Sequence, residues 1–314
     1  MKKVLVLLLA AAGCNDSPLS PSPVIEQTPE PIPVANIREW AVGGAVRSLA
    51  DNSPVSAGNV SWNGSSSLLG PSGAFSLVTH TAPSGSHIVT IEAPGFFTRK
   101  TRVGSLGLQS LDMIPSSSFY ADYARGGLGY PTMIWSWGNP NFYIQVDDDR
   151  GERVLGLDEQ AMMRDVITRS VPLFTGGTLR AGSIEFGNGP GAERMGWIRI
   201  HTVNLPGEGF AGRAHIGANP GLIYMNRGAR CRGRLPSDVM GHELGHALGL
   251  WHVPGNYIMH PVLDCSQSFN GQPTATESYY SAMVYQRPRG NRAPDTDPDG
   301  PTSAVGIQGL TVVH

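Results

Sequence analysis

Three cysteines in 314 residues are too few for a disulfide-built scaffold, so this chain must fold around apolar cores. Charge is scarce as well. Charged residues make up 15% of the chain and the formal net charge is −2, so there is no basic footprint for a nucleic acid. Long apolar runs are also missing: Val4 to Ala12 falls well short of the ~20 residues that a membrane-spanning helix needs. Glycine and proline are plentiful, at 40 and 25, which suits a loop-rich exported protein better than a helical cytosolic one. The length leaves room for two domains with separate cores.

One segment speaks directly of chemistry. His242-Glu243-Leu244-Gly245-His246-Ala247-Leu248-Gly249-Leu250-Trp251-His252 reads H-E-x-x-H-x-x-G-x-x-H, and Met259 follows. Histidines four apart share one helix face, so His242 and His246 can bind a single ion. Gly249 can adopt a backbone conformation that ends the helix and turns the chain back. That turn brings His252 round as a third nitrogen, leaving a fourth position on a zinc ion open to water. Glu243 lies about 100° round the helix from His242, where its carboxylate can reach that water. The pattern predicts a zinc-dependent peptidase.

This segment resembles the metzincin metallopeptidases. Pro261, two residues after Met259, makes it most similar to their matrixin-type branch. The resemblance implies an α+β catalytic domain, a twisted mixed sheet with three main helices, over residues 116–288. It implies Zn2+ on His242, His246 and His252, with Glu243 as general base and Met259 as an apolar floor beneath the metal in a Met turn. It further implies that an extended protein or peptide substrate pairs with an edge strand near Ala211 to Ile216. His215 on that strand reads as a sheet residue. Some metzincins carry a catalytic tyrosine where this chain has Pro261; Tyr257 lies on the other side of the methionine and is a weak substitute. The expected activity is therefore that of a zinc metalloendopeptidase. The alternative is a cell-surface adhesin or binding protein with a structural zinc site, for which Glu243 would have no use.

At the N-terminus, Lys2 and Lys3 precede the apolar run, and Ala11-Ala12-Gly13-Cys14 resembles a bacterial lipobox. The resemblance implies a signal peptide over 1–13 and lipid on Cys14, holding the protein to a membrane of the bacterial cell envelope, at the outer membrane or cell surface. Ordinary secretion is the alternative. Residues 14–37 read as a proline-rich tether. With Cys14 lipidated, Cys231 and Cys265 remain, bracketing the histidine motif in an oxidising compartment where a disulfide persists. A rival reading takes Arg230-Cys231-Arg232-Gly233 as similar to the inhibitory thiol of matrixin propeptides.

Residues 38–115 show short alternating runs broken by turns: Val42 to Val46, Gly58 to Trp62, Ala74 to Val78, His87 to Ile91 and Thr98 to Val103. The order resembles the carboxypeptidase regulatory-like β-sandwich, which implies a spacer or a binding module and leaves its partner open. In the next domain, strands are expected at Thr132 to Trp137, Asn141 to Val146, Ser183 to Phe186, Trp197 to Val203, Ala211 to Ile216 and Leu222 to Met225. Helices are expected from a cap at Asp158 to about Val171, from Ser237 or Asp238 through the motif, and from a cap at Thr274 to about Tyr285. Tyr130, Trp135, Trp137 and Tyr143 read as sheet core, with a carbohydrate platform as the other possibility. Asp147-Asp148-Asp149 reads as a turn, with a calcium loop as the other. The tail, 289–314, is too polar and proline-rich to pack alone, although Ala304 to Val313 is apolar enough to add a strand.

Overall fold

The structure, a computed structural model, describes residues 38–83, 87–229, 236–262, 268–299 and 311–313. The signal segment, the tether and all three cysteines, Cys14, Cys231 and Cys265, lie outside the described residues. Glu39–His314 form one compact unit of mixed α+β structure. No helix among the described residues is long and apolar enough to cross a membrane.

The first part is built of strands β1 (Trp40–Ser48), β2 (Asn59–Trp62), β3 (Ser65–Leu68), β4 (Ala74–Thr79), β5 (Ile88–Glu92), β6 (Arg99–Arg102) and β7 (Gly107–Met113). Alternation dictates which way they face: in β4, Phe75, Leu77 and Thr79 are buried while Ala74, Ser76 and Val78 are not. One sheet runs β4-β1-β7 and the other contains β6-β5-β2-β3. Val42, Val46, Val60, Leu77, Ile91 and Met113, drawn from both sheets, share one core. Two strands were not foreseen. Asn63 and Gly64 both take positive φ, 46° and 82°, in a two-residue hairpin turn, and β3 returns from it antiparallel to β2. The serines of β3 carry no apolar alternation to announce it.

The second part runs α1 (Ser118–Arg125), β8 (Asn141–Gln145), α2 (Leu157–Phe174), β9 (Ile184–Gly187), β10 (Trp197–Val203), β11 (Gly212–His215), β12 (Gly221–Asn226), α3 (Ser237–Ala247) and α4 (Ala275–Val284). Its sheet has the order β11-β12-β10-β8-β9, parallel from β12 to β9, with β11 antiparallel to β12. Ile144, Ile198, Ile200 and Ile223 from the sheet meet Met163 and Val166 from α2 and Met240 and Leu244 from α3 in a second core.

The expected strand at Thr132 to Trp137 does not form. Its backbone groups are taken singly: the Thr132 N–H donates to the Asn291 carbonyl and the Trp135 N–H to that of Leu248. With its donors spent on two different segments, the stretch cannot ladder. Helix α1 was also unforeseen and makes a fourth helix beside the three expected. The Ser117 hydroxyl accepts the Tyr120 N–H at its start and Gly126, at φ 54°, closes its end. Asp158 does not cap α2. Gly156 does, and the Glu159 carboxylate reaches back to the Gly156 N–H.

The polar tail, expected not to pack alone, is held from residue 289 to 299 by arginines elsewhere in the chain. Strand β13 (Asp295–Thr296) adds parallel to β6. Arg99 grips Asp297 with two bonds of 2.7 Å, and Arg287 binds Asp295 through Nε (2.9 Å) and Nη2 (3.0 Å) and Asp112 through Nη1 (2.6 Å). Arg125 from α1 donates to the Pro294 carbonyl (2.6 Å) and to Asn291. Asp295 and Asn291 are fully buried. Polarity does not prevent burial here because three arginines meet three aspartates of opposite charge. A last strand, β14 (Thr311–Val313), pairs antiparallel with β11.

Candidate metal centre

Helix α3 carries the motif through the interior: from Val239 to Ala247 every residue is buried. Two glycines let it lie there. A Cβ on Gly241 would stand 2.3 Å from the Gly271 carbonyl oxygen, and one on Gly245 would stand 2.4 Å from Met259 Sδ. Spaced four apart, they form one bare face against which the Met259 loop packs. Asp238, expected with Ser237 as a possible cap, instead accepts the Phe269 and Gly271 N–H groups (2.9 and 2.7 Å), drawing the segment before α4 onto the helix. The N-cap is Pro236.

The helix ends as the sequence suggested. Gly249 sits at φ 101°, with the Met133 carbonyl oxygen 2.5 Å from where a side chain would begin. Its N–H donates to the His246 carbonyl and that of Leu250 to the Gly245 carbonyl, and the Trp251 N–H then reaches the Tyr123 carbonyl of α1 (2.8 Å). Trp251 stacks on Tyr130 at 4.4 Å. His252 is thereby delivered to the other two histidines. A bond from the Val253 N–H to the Met259 carbonyl (3.0 Å) closes the short loop between His252 and the methionine.

The three rings converge. His246 Nε2 lies 3.0 Å from His242 Nε2 and 3.1 Å from His252 Nε2. His242 Nδ1 is 2.6 Å from the Ile258 carbonyl oxygen and His246 Nδ1 is 2.7 Å from that of Leu250. A carbonyl only accepts, so each Nδ1 carries the proton and each Nε2 presents a lone pair. Lone pairs facing one another at this distance repel unless a cation stands between them. Nitrogens about 2.0–2.1 Å from a tetrahedral ion lie about 3.3 Å apart, close to the spacing found. The cluster His242, His246 and His252 could hold a metal ion, and among the described residues no other group of ligands does so.

Glu243 is fully buried, and neither carboxylate oxygen has a hydrogen-bond partner. Burial pushes its carboxyl well above the ordinary value. It rests on β11, where a Cβ on Gly212 would stand 2.5 Å from Glu243 Oε1. Met259 is buried beneath Gly245, and its N–H is held by Glu277 of α4 (2.9 Å). Tyr257 packs edge-on against Phe119 of α1 at 4.9 Å. His215 lies on β11, as expected.

Gly212, Glu277 and α1 escaped the sequence reading. Thr274 was expected to cap the last helix and does so, with Glu277 as its box partner; neither that partnership nor the hold of Glu277 on the methionine loop was foreseen. Trp135 is buried with its indole N–H on the Gly138 carbonyl (2.9 Å), so the aromatic group is not a single exposed platform. Asp148 accepts the Arg150 and Glu152 N–H groups, which is a turn.

No protein-family model matches this chain, and no curated protein matches it. The solved structures it is similar to include an N-terminal and a C-terminal interface mutant of a type II cohesin–X-dockerin complex from Acetivibrio cellulolyticus. Identities are 17% and 18%, over 35% and 38% of this chain and 79% and 83% of the others, at TM-scores of 0.20 and 0.19. Likeness of that extent carries no argument for fold or partner.

Proposed function

We propose that the protein is a zinc metalloendopeptidase of the metzincin, matrixin-like type, exported and held at the bacterial cell envelope by lipid on Cys14. Its catalytic part would span 116–288 behind a regulatory-like β-sandwich over 38–115. The observation that carries the reading is the pairing of three converging imidazole nitrogens with a buried carboxylate that has no hydrogen-bond partner of its own. A purely structural metal site has no use for such an acid and closes its fourth position with a further ligand.

Zinc on His242, His246 and His252 would supply Lewis acidity and bring the pKa of water toward 7. The protein's residues do the rest. Ile258 and Leu250 fix two imidazole tautomers through their carbonyls. Glu243 accepts a proton from the attacking water and returns it to the leaving amine; its raised proton affinity suits both transfers. Met259 supports the imidazoles from below through Gly245. An extended peptide would lie along β11, which passes over Glu243 at Gly212.

The test is casein cleavage by the purified full chain, with metal analysis. Glu243→Gln should keep its zinc and lose cleavage, and chelation of the wild type should abolish cleavage reversibly. A Glu243→Gln protein that still cleaves would remove the residue from this role. A wild type that binds zinc tightly and cleaves nothing would favour an adhesin instead.

A further inference from the structure

The free edge of β11 is not open. Strand β14 pairs with it antiparallel, setting Arg213 opposite Val313, Ala214 opposite Val312 and His215 opposite Thr311. The neighbour on the other side is β12, so β11 is covered along both edges by this chain itself. The sheet would otherwise end at β11, and an edge strand with unpaired N–H and C=O groups is a template for any extended peptide. The same strand passes over Glu243: Gly212, one residue before the paired stretch, is where the carboxylate packs.

We propose that Thr311–Val313 is a built-in occupant of the peptide-binding edge, a segment that competes with substrate from within the same molecule. This rests on the endopeptidase reading above. Three observations favour the chain's own segment as the occupant. It is there, in register, in a mode that extended ligands use on sheet edges. It comes from the stretch following β13, which is fastened by Asp295 and Asp297 to Arg99 and Arg287, so its point of departure is fixed on the molecule. A tethered segment competes at an effective concentration in the millimolar range, enough for a short, weak strand to hold the edge against dilute peptides. Yet three residues of pairing can be displaced by a longer substrate, which makes the device a threshold rather than a block.

The experiment uses the full zinc-loaded chain and two variants: Val312→Pro, which removes an N–H from the middle of β14, and a chain ending at Gly309. The first readout needs no catalysis. In a Glu243→Gln background, a fluorescent peptide Gly-Leu-Thr-Val-Val-His is titrated onto each protein. Either change to the segment should tighten binding of the probe by roughly tenfold or more, the release from competition expected of a tethered occupant. Equal affinity for intact and altered chains would overturn the proposal. The second readout is casein cleavage with Glu243 intact. Release of the segment should lower KM and leave kcat unchanged, whereas an unchanged KM would again overturn it. Absence of cleavage by every form, zinc bound, would defeat the endopeptidase reading and leave the peptide titration to decide the edge.

Discussion

Glu277 Oε1 accepts the Met259 amide hydrogen at 2.9 Å, joining the cap of α4 to the loop that packs on Gly245 of α3. The other oxygen of the same carboxylate takes the Thr274 N–H (2.8 Å) and the Ile258 N–H (3.3 Å). Ile258 in turn holds His242 through its carbonyl. One buried acid therefore fixes a helix start, a loop and the tautomer of a histidine.

Glu277→Ala should be costly, because it leaves buried N–H groups unpaired at about 1–3 kcal/mol each. Glu277→Gln keeps an acceptor and should cost less. Thermal melts with and without zinc would show this order, and metal affinity should fall with it. Equal melting temperatures for Glu277→Ala and the wild type would contradict the anchoring role.

Helix propensity and packing disagree over Gly245, which makes it a sharp test. Propensity alone has Gly245→Ala stabilising the helix by about 1 kcal/mol. The methyl group would meet Met259 Sδ at 2.4 Å with the Phe174 ring 3.3 Å away, so we expect a net loss of about 1–3 kcal/mol from overpacking. Urea unfolding decides the sign.

Removing any one of the three histidines should end tight binding of the ion. Calorimetric titration of His242→Ala, His246→Ala and His252→Ala with zinc would register the loss. The wild type should gain about 2.7 kcal/mol of stability when free zinc exceeds its Kd a hundredfold, and the variants should gain little at the same concentration.

Acid should loosen the tail through Asp297. Burial raises its pKa, but the hydrogen bonds and charge of Arg99, with Thr101 and Asn291, outweigh burial and hold it below 3.8. A carboxylate whose folded pKa is depressed contributes stability above its unfolded pKa and loses that contribution as pH falls through the folded value. Stability should thus decline below about pH 4, and Asp297→Asn should be less stable at neutral pH with a shallower acid decline. Urea midpoints at neutral and acid pH measure both, and parallel curves for the two proteins would refute the assignment.

Local spacing set out most of the second part. Trp197 to Val203 forms the strand its alternating apolar residues called for, and Thr274 caps α4 with Glu277 as its box partner. The elements that escaped have signals too weak to read locally. The serines of β3 gain strand structure only from the partner beyond the Asn63-Gly64 turn. Thr132 to Trp137 has strand composition, but its donors are claimed by Asn291 and Leu248, far along the chain.

By itself the sequence determined the three histidines, their spacing and the turn at Gly249, because a helix repeats every 3.6 residues and glycine alone tolerates that backbone angle freely. Only the tertiary structure decided that Gly212 would cradle Glu243, that Glu277 would hold the methionine loop and that Asn291 and Asp295 of the polar tail would be buried. Those outcomes depend on which distant groups meet in space: an aspartate such as Asp295 is tolerable in the interior only once Arg99, Arg125 and Arg287 have been brought around it.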